Sequence, residues 1–192
     1  MPGYEISAFE KDSINYKVGE IQFNNGKYDK AISSFTDYLK VYPKGYYYLP
    51  AHYHRGESLT LLKLYNEALA DYESIIEVGF SKYYENSVKK AAIISYNHNQ
   101  DFTKSLNYYQ KWEATTENKP DKFEAQLGAL RSAFRISDAQ AVEKYSGLVT
   151  VNELATDENK STAQYYLGKT LYANKKLDGA FEAFDNVQKL SN

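Results

Sequence analysis

Small residues recur along this chain at a nearly constant spacing, and this spacing constrains the fold more than any other feature of the sequence. Five alanine or serine residues lie 37, 37, 36 and 39 residues apart: Ala31, Ala68, Ser105, Ala141 and Ala180. A second anchor stands twelve residues before each of them: Gly19, Gly56, Ile93, Ala129 and Gly168. A period of this length is typical of proteins that repeat one supersecondary unit.

Each unit has the pattern of two helices folded back on each other. An aromatic residue follows the alanine or serine by four positions, which places both on one face of a helix. We predict ten helices, at residues 12–24, 28–42, 50–62, 65–78, 81–97, 101–115, 120–135, 138–149, 158–173 and 177–190. No segment alternates apolar and polar residues over a sustained length, so we predict no strand.

The glycine and alanine anchors indicate that the two helices of a hairpin approach each other closely. We therefore expect Gly19 to lie near Ala31, and Gly56 near Ala68, with apolar side chains of the second helices around them. The predicted core consists of Ile32, Phe35, Leu39, Leu69, Tyr72, Ile76, Leu106, Tyr109, Val142, Tyr145, Phe181 and Phe184.

Composition excludes several classes of function. The net charge is -2, with basic and acidic residues interleaved, so there is no basic stripe for nucleic acid. The chain has no cysteine, which excludes disulfides and thiolate metal sites. It has no apolar run long enough to span a membrane, and its first residues are too polar for a secretory signal. We expect a cytoplasmic protein or a piece of a longer exported one.

This pattern resembles the tetratricopeptide repeat, a helix hairpin with a small residue in each helix, then an aromatic residue and a proline. The first unit carries Gly19, Ala31, Phe35 and Pro43 in that order. The resemblance implies an all-α fold, a right-handed α-solenoid of about five hairpins and about ten antiparallel helices. It implies one domain, residues 1–192, with repeats at roughly 12–45, 49–80, 81–118, 120–152 and 158–192.

A narrower resemblance involves the junction between the first two units. Tyr-Pro-Lys-Gly at 42–45, followed by Ala51, Tyr53, Gly56 and Glu57, is similar to bacterial cell-envelope repeat proteins related to the outer-membrane assembly lipoproteins and the Tol–Pal coordinator. This resemblance implies a bacterial periplasmic or envelope location, as part of a longer exported protein.

The family resemblance implies a non-catalytic scaffold that binds a peptide or protein partner in a concave groove. The first helix of each unit lines that groove in the family. The corresponding residues here are Tyr16, Glu20, Phe23, Asn24, Tyr53, Glu57, Lys90, Asn97, Gln126, Phe134, Tyr165, Lys169 and Tyr172. Part of the family clamps a carboxylate tail with lysine and asparagine. Glu20 and Glu57 occupy matching positions here and disfavour that partner.

The sequence offers little for catalysis. His52 and His54 are two residues apart and so face different sides of a helix. We expect no metal, no cofactor and no enzymatic activity, and we interpret both histidines as surface or packing residues. An enzyme hidden in the groove would need His54, Glu57 and a third converging ligand. We place Asp29, Glu67, Asp71 and Asp178 in helix first turns or on solvated faces.

Two further segments suggest contacts with other molecules. The last predicted helix carries Phe181, Phe184, Val187 and Leu190 with nothing after it to cover them, so we expect the chain to continue or this face to pair with another molecule. The alternative function is therefore structural self-association through this helix. The run Tyr46–Tyr48 is either an exposed patch or a junction between repeats, and we expect at least two of its rings to pack.

Overall fold

The computed structural model describes residues 6–190. Over this range the chain contains no strand and forms ten α-helices, as the sequence predicts. They are α1 (Ala8–Asn24), α2 (Tyr28–Val41), α3 (Tyr48–Leu61), α4 (Tyr65–Val78), α5 (Tyr84–Asn97), α6 (Phe102–Thr115), α7 (Lys119–Arg135), α8 (Ala139–Val151), α9 (Asp157–Ala173) and α10 (Leu177–Leu190).

Two helix starts differ from the prediction by more than two residues. Helix α1 begins four residues early because Ser7 and Glu10 form a capping box, in which each side chain bonds to the other residue's backbone N–H. Helix α5 begins three residues late, so residues 81–83 are a turn that remains available to contact other elements.

The turn inside every hairpin uses the same backbone conformation. One residue of each turn has a positive φ, and these residues lie 37, 37, 37 and 38 positions apart: Gly26, Lys63, Gln100, Ser137 and Lys175. Only the first is glycine, the residue that adopts this conformation without a steric cost. The regular spacing shows that one turn geometry is repeated in all five hairpins.

The chain divides into two compact units, Met1–Ala91 and Ala92–Asn192, whose boundary falls inside α5. In the first unit α1 packs on α2, and α3 packs on both of them and on α4. In the second unit α6 to α10 pack in sequence, and α9 also contacts α7. Successive helices thus pair in each unit as they do in a tetratricopeptide solenoid, which confirms the predicted fold class.

The glycine anchors of the first helices lie against aromatic rings of the second helices. A Cβ added to Gly19 would lie 2.6 Å from Phe35 Cε1, and one added to Gly168 would lie 2.7 Å from Phe184 Cε1. The alanine anchor of the first hairpin, Ala31, is fully buried beside these contacts. The close helix crossing is therefore as predicted, but the ring fills the space that the glycine leaves.

The hairpin of α7 and α8 shows a variation. Gly128 packs against the ring of Tyr109 in the preceding helix α6, while its neighbour Ala129 is fully buried. Small residues at this site therefore allow close packing between hairpins. The hydroxyls of Ser105 and Ser132, buried between α6 and α7, lie 3.0 Å apart and reinforce the contact.

The core agrees with the prediction at seven of its twelve positions: Phe35, Leu69, Tyr72, Leu106, Tyr109, Val142 and Tyr145 are buried. Four others are half-buried: Ile32, Leu39, Ile76 and Phe184. The prediction for Phe181 is wrong, since its side chain is 72% exposed on the outer face of α10. Tyr38 and Ile75, each three residues after a predicted core ring, belong to the core instead.

Candidate binding groove

The predicted groove residues of the first unit lie on one connected surface of α1, α3 and α5. The Tyr16 hydroxyl donates to Glu20 Oε1 at 3.1 Å and lies 3.1 Å from His54 Nδ1, which joins α1 to α3. An ion pair of 3.1 Å between Lys90 Nζ and Glu57 Oε1 joins α5 to α3. The structure therefore brings these sequence-predicted residues together.

The rings of this surface differ in their exposure. Tyr16 is only 2% exposed, because the ring of Tyr47 stacks on it at 4.4 Å with an interplanar angle of 8°. Phe23 is half-buried and stacks on the His54 ring at 4.9 Å. Asn24 is exposed at the end of α1. Tyr16 therefore supports the surface from below, whereas the residues around it can contact a partner.

The segment before α3 is held to α1 by a buried carboxylate. Asp12 Oδ2 accepts from the Tyr46 backbone N–H at 2.8 Å, and Asp12 Oδ1 accepts from the Tyr38 hydroxyl at 2.6 Å. That hydroxyl in turn accepts from the Tyr47 backbone N–H at 3.0 Å. Two consecutive backbone amides are thus fixed by side chains, so the segment is positioned before any partner arrives.

The three tyrosines of this segment have different roles. Tyr47 packs on Tyr16, and Tyr48 packs edge-on against His52 at 4.5 Å. Tyr46 is 74% exposed and touches Phe9 at 5.4 Å. This confirms the prediction that at least two of the rings pack as a junction, and it leaves one ring presented to solvent.

A cleft of about 500 Å³ opens beside this segment. We call it the tyrosine cleft, and it is lined by Glu20, the stretch 45–50 and the turn 81–83. Within it the Tyr83 ring lies 4.9 Å from the Tyr53 ring, and Lys82 Nζ lies 4.9 Å from the Tyr83 ring centre. A cleft of this size, lined by rings and a few polar groups, has the features of a site that holds side chains of a ligand.

The turn 81–83 was not among the predicted groove residues. The sequence pattern assigns it to the start of α5, which begins only at Tyr84. In the structure it forms one wall of the tyrosine cleft. Gly79, with φ of 91°, follows the end of α4 at Val78, where the sequence predicted it, and the error lies in the start of α5, which was placed three residues too early.

The charges of this surface are largely paired with each other. Burial raises the pKa of the Glu20 carboxyl, but hydrogen bonds from Lys17 and Tyr16 outweigh it and hold the pKa below its ordinary value. Burial lowers the pKa of His54 against the opposing effect of Glu20 and Glu57. At neutral pH His54 is therefore neutral and the neighbouring Glu20 is ionised.

A buried polar cluster below the groove was missed by the sequence analysis. Asp71 is 1% exposed, and its carboxylate accepts from His52 Nδ1 at 2.6 Å and from Arg55 Nη2 at 2.7 Å. The interpretation of Asp71 as a solvated residue is wrong. The signal was present, because Asp71 lies three residues after Ala68 and four before Ile75, on the buried face of α4.

The second unit presents a different set of predicted residues. Gln126 is buried, and its amide donates to Glu113 Oε1 at 2.9 Å, so it serves packing of α7 on α6. Phe134 is half-buried and stacks on Tyr166 at 4.0 Å. The remaining predicted residues of this unit are exposed: Asn97, Tyr165, Lys169 and Tyr172.

The last three of these form a stripe on α9. Tyr165 is 45% exposed and Tyr172 is 64% exposed, with exposed Lys169 between them at steps of four and three residues. Residues so spaced share one face of a helix. Three of the predicted groove residues of the second unit therefore share one exposed face of α9.

The described part of the chain gives no sign of a metal centre or a membrane span. Residues 6–190 contain no group of three or more histidine, cysteine or acidic residues placed to hold a metal ion, so His54 and Glu57 find no third ligand there. None of the helices in this range combines the length and the apolar character that crossing a bilayer requires.

Comparison with known proteins agrees with this architecture. Residues 14–45 match the family model of the tetratricopeptide repeat. A search of curated protein sequences finds no match. Among solved structures, the chain is similar to YrrB, which is described as a TPR protein with an unusual peptide-binding site. The two are 16% identical, the match covers 96% of this chain and 92% of that chain, and the TM-score is 0.62.

Two more solved structures are similar over nearly the whole chain. MamA protein is 14% identical, with 94% of this chain and 92% of that chain covered and a TM-score of 0.58. The TPR-like repeats of a putative kinesin light chain from Podosopora anserina are 13% identical, with 97% of each chain covered and a TM-score of 0.51. At these identities the likeness establishes the fold.

Proposed function

Since this chain has the fold of the tetratricopeptide-repeat proteins and carries a repeat of that family at residues 14–45, we propose that it is a non-catalytic scaffold that binds an extended peptide segment of a protein partner. The binding site is the tyrosine cleft together with the surface of Glu20, His54 and Tyr53. The single observation that supports this most strongly is the cleft itself, a concave, ring-lined surface about 500 Å³ in volume.

Preorganisation favours binding at this place. Asp12 and Tyr38 fix the backbone of the segment 46–47, so little conformational entropy is lost when a peptide packs there. Tyrosine rings provide large contact areas with few rotatable bonds. These two features allow affinity without deep burial of the ligand.

The charge arrangement determines which peptides fit. Lys17 is paired with Glu20, and Lys90 with Glu57, so both lysines are already engaged by carboxylates of the chain and are poorly placed to bind a carboxylate of a ligand. Glutamates at this surface would repel a C-terminal carboxylate. We therefore expect internal, extended segments whose apolar or aromatic side chain enters the cleft, and we expect carboxylate-terminated tails to be rejected.

Peptide selection followed by mutation tests this function. A random peptide library displayed on phage is selected against the protein, and the affinity of a labelled selected peptide is measured by fluorescence anisotropy. Tyr46→Ala removes an exposed ring from the cleft without touching the backbone hydrogen bond, and it should weaken binding at least about tenfold. Val151→Ala is the control, because that side chain is similarly exposed, at 79% against 74%, but lies in the second unit.

The choice of variant follows from the structure. Tyr16→Ala would remove a buried ring and destabilise the unit, so its effect on binding could not be separated from unfolding. Equal affinities of wild type and Tyr46→Ala for every selected peptide would exclude the tyrosine cleft as the site. Failure to select any peptide above background would contradict the proposed peptide-binding function.

The junction sequence at 42–45 supports a location for this scaffold in a bacterial periplasm or envelope. Fractionation of cells that express the full-length gene product checks this. Recovery with periplasmic or envelope markers is expected, and recovery with cytoplasmic markers would contradict it.

A further inference from the structure

Helix α1 carries an exposed apolar stripe. Ile14 is 56% exposed, Val18 47% and Ile21 58%, and their steps of four and three residues place them on one face. Ile14 lies five residues before the anchor Gly19, and Ile21 lies two residues after it. The residues at the same distances from the anchor Gly56 in α3 are Ala51 and Ser58, which are both fully buried. The preceding helices α1 and α2 pack against α3 and cover that face.

The second unit repeats this relationship. In α9 the positions that match Ile14 and Ile21 are Ala163, fully buried, and Thr170, 9% exposed. Helices α7 and α8 pack against α9. In both units, therefore, this face of a hairpin's first helix is the face on which the preceding hairpin packs. Within residues 6–190 the same face of α1 is exposed and carries three large apolar side chains.

Helix α10 presents the other half of the same type of interface. Phe181, directly after the alanine anchor, is 72% exposed, and Leu177 is 49% exposed. The residues directly after the anchors of α6 and α8 are Leu106, 7% exposed, and Val142, fully buried. Those helices are followed by α7 and α9, which pack against them. The face that packs against the next hairpin in α6 and α8 is therefore exposed on α10 in the described part of the chain.

We propose that this chain associates with a second copy head to tail, with the Leu177–Phe181 face of one copy packed against the Ile14–Val18–Ile21 stripe of the next. Inside the chain, a hairpin of the same kind covers each of these positions, so a second copy offers the matching surface. This contact is heterologous, since two different patches meet, and it leaves one face of each type free for further copies.

Charge favours this pairing over two copies of α10 meeting face to face. Asp178 and Glu182 are exposed beside Phe181, so two α10 faces would bring like charges together. Lys11 is exposed on α1, three residues before Ile14 on the same stripe. Lys11 can therefore pair with these carboxylates, whereas Glu10, which also lies beside Ile14, is bonded to Ser7 in the capping box.

Mass measurements over a wide concentration range test the proposal. Sedimentation equilibrium of the wild-type chain from low micromolar to millimolar concentration should give a mass that rises above the monomer value of 22.0 kDa. Val18→Glu and Phe181→Glu should each remain monomeric, because a charge in either patch prevents burial. Phe80→Glu is the control, since that ring is 94% exposed in a turn outside both patches, and it should associate like wild type.

A mixture of the two variants identifies the geometry. Val18→Glu keeps an intact α10 face and Phe181→Glu keeps an intact α1 stripe, so an equimolar mixture should form a dimer that grows no further. A wild type that stays monomeric at millimolar concentration would overturn the proposal. Association of Val18→Glu like wild type would also overturn it, because the contact would then not involve α1. Circular dichroism of each variant shows whether the fold is intact.

Discussion

The ring of Phe35 in α2 lies directly against the backbone of Gly19 in α1, so that a Cβ on Gly19 would be 2.6 Å from Cε1 of the ring. Real Cβ contacts are almost never this short, and both the ring and the alanine beside it are fully buried. The two helices can approach to this distance only because Gly19 has no side chain. The same relationship joins Gly168 to Phe184 in the last hairpin.

Replacing Gly19 with alanine should therefore destabilise the first unit. We expect Gly19→Ala to lower the free energy of unfolding by about 1–3 kcal/mol, because the added methyl group forces the buried ring to move. Gly147→Ala is the control: this glycine lies in α8 with no atom within 4 Å of an added Cβ. Alanine there should raise stability by about 0.5–1 kcal/mol. Urea denaturation of both variants measures these changes, and equal effects would contradict the close contact.

Replacing a positive-φ residue of a hairpin turn with glycine should increase stability, whereas replacing Gly19 with alanine should decrease it. Lys63 has φ of 62° and Ser137 has φ of 58°, a conformation that costs an L-residue about 1–2 kcal/mol. Lys63→Gly and Ser137→Gly remove this cost from the folded state, but glycine also increases the conformational entropy of the unfolded chain. The net effect should be a rise of up to about 1 kcal/mol in the free energy of unfolding for each variant. Gly26→Ala should destabilise by a similar amount. Thermal unfolding measures all three, and destabilisation by Lys63→Gly would be inconsistent with the turn geometry.

The Asp71 cluster gives a large predicted effect. Asp71→Ala leaves His52 and Arg55 without their buried acceptor, and we expect a loss of about 3–5 kcal/mol. Asp37→Ala, an exposed carboxylate in the neighbouring helix α2, should change stability by less than about 0.5 kcal/mol. The comparison is made by chemical denaturation at neutral pH. Similar small changes in both variants would show that Asp71 is not the acceptor that joins α3 to α4.

His54 makes stability depend on pH in a defined direction. Because burial lowers its folded-state pKa, the unfolded chain binds more protons than the folded chain as pH falls through the ordinary histidine range. The contribution of neutral His54 to the free energy of unfolding is therefore fully present above about pH 6.5 and is lost as the pH falls below that value. His54→Phe keeps a ring to stack on Phe23 and should lose less stability than wild type between pH 7.5 and 5.5. An identical loss in both proteins would exclude His54 as the source.

The sequence predicted the hairpins well because their determinants are local. The anchors, the rings that follow them and the turns recur within single units, so the pattern of Gly19, Ala31 and Phe35 is sufficient to define a helix pair. Helix ends that depend on capping, such as the start of α1 at Ser7 and Glu10, were placed less well. The repeat pattern placed Phe181 in the core, whereas the separate expectation that the apolar residues of the last helix are uncovered agrees with its 72% exposure.

The candidate site was predictable only in part. The residues Glu20, Tyr53 and Glu57 follow from their place in the first helix of a unit, and the structure brings them together. The tyrosine cleft does not follow from that pattern, because it is built from a turn at 81–83 and from a segment fixed by Asp12 and Tyr38, which lie 26 residues apart. Contacts between distant positions of this kind carry no periodic signal.

Hydrogen–deuterium exchange with and without a selected peptide tests the central claim most directly. The account predicts that the peptide slows exchange of backbone amides at 45–49 and 81–83, the two walls of the tyrosine cleft, and leaves the outer helices α2 and α4 unchanged. Protection confined to α2 and α4, with no change at 45–49 and 81–83, would contradict it.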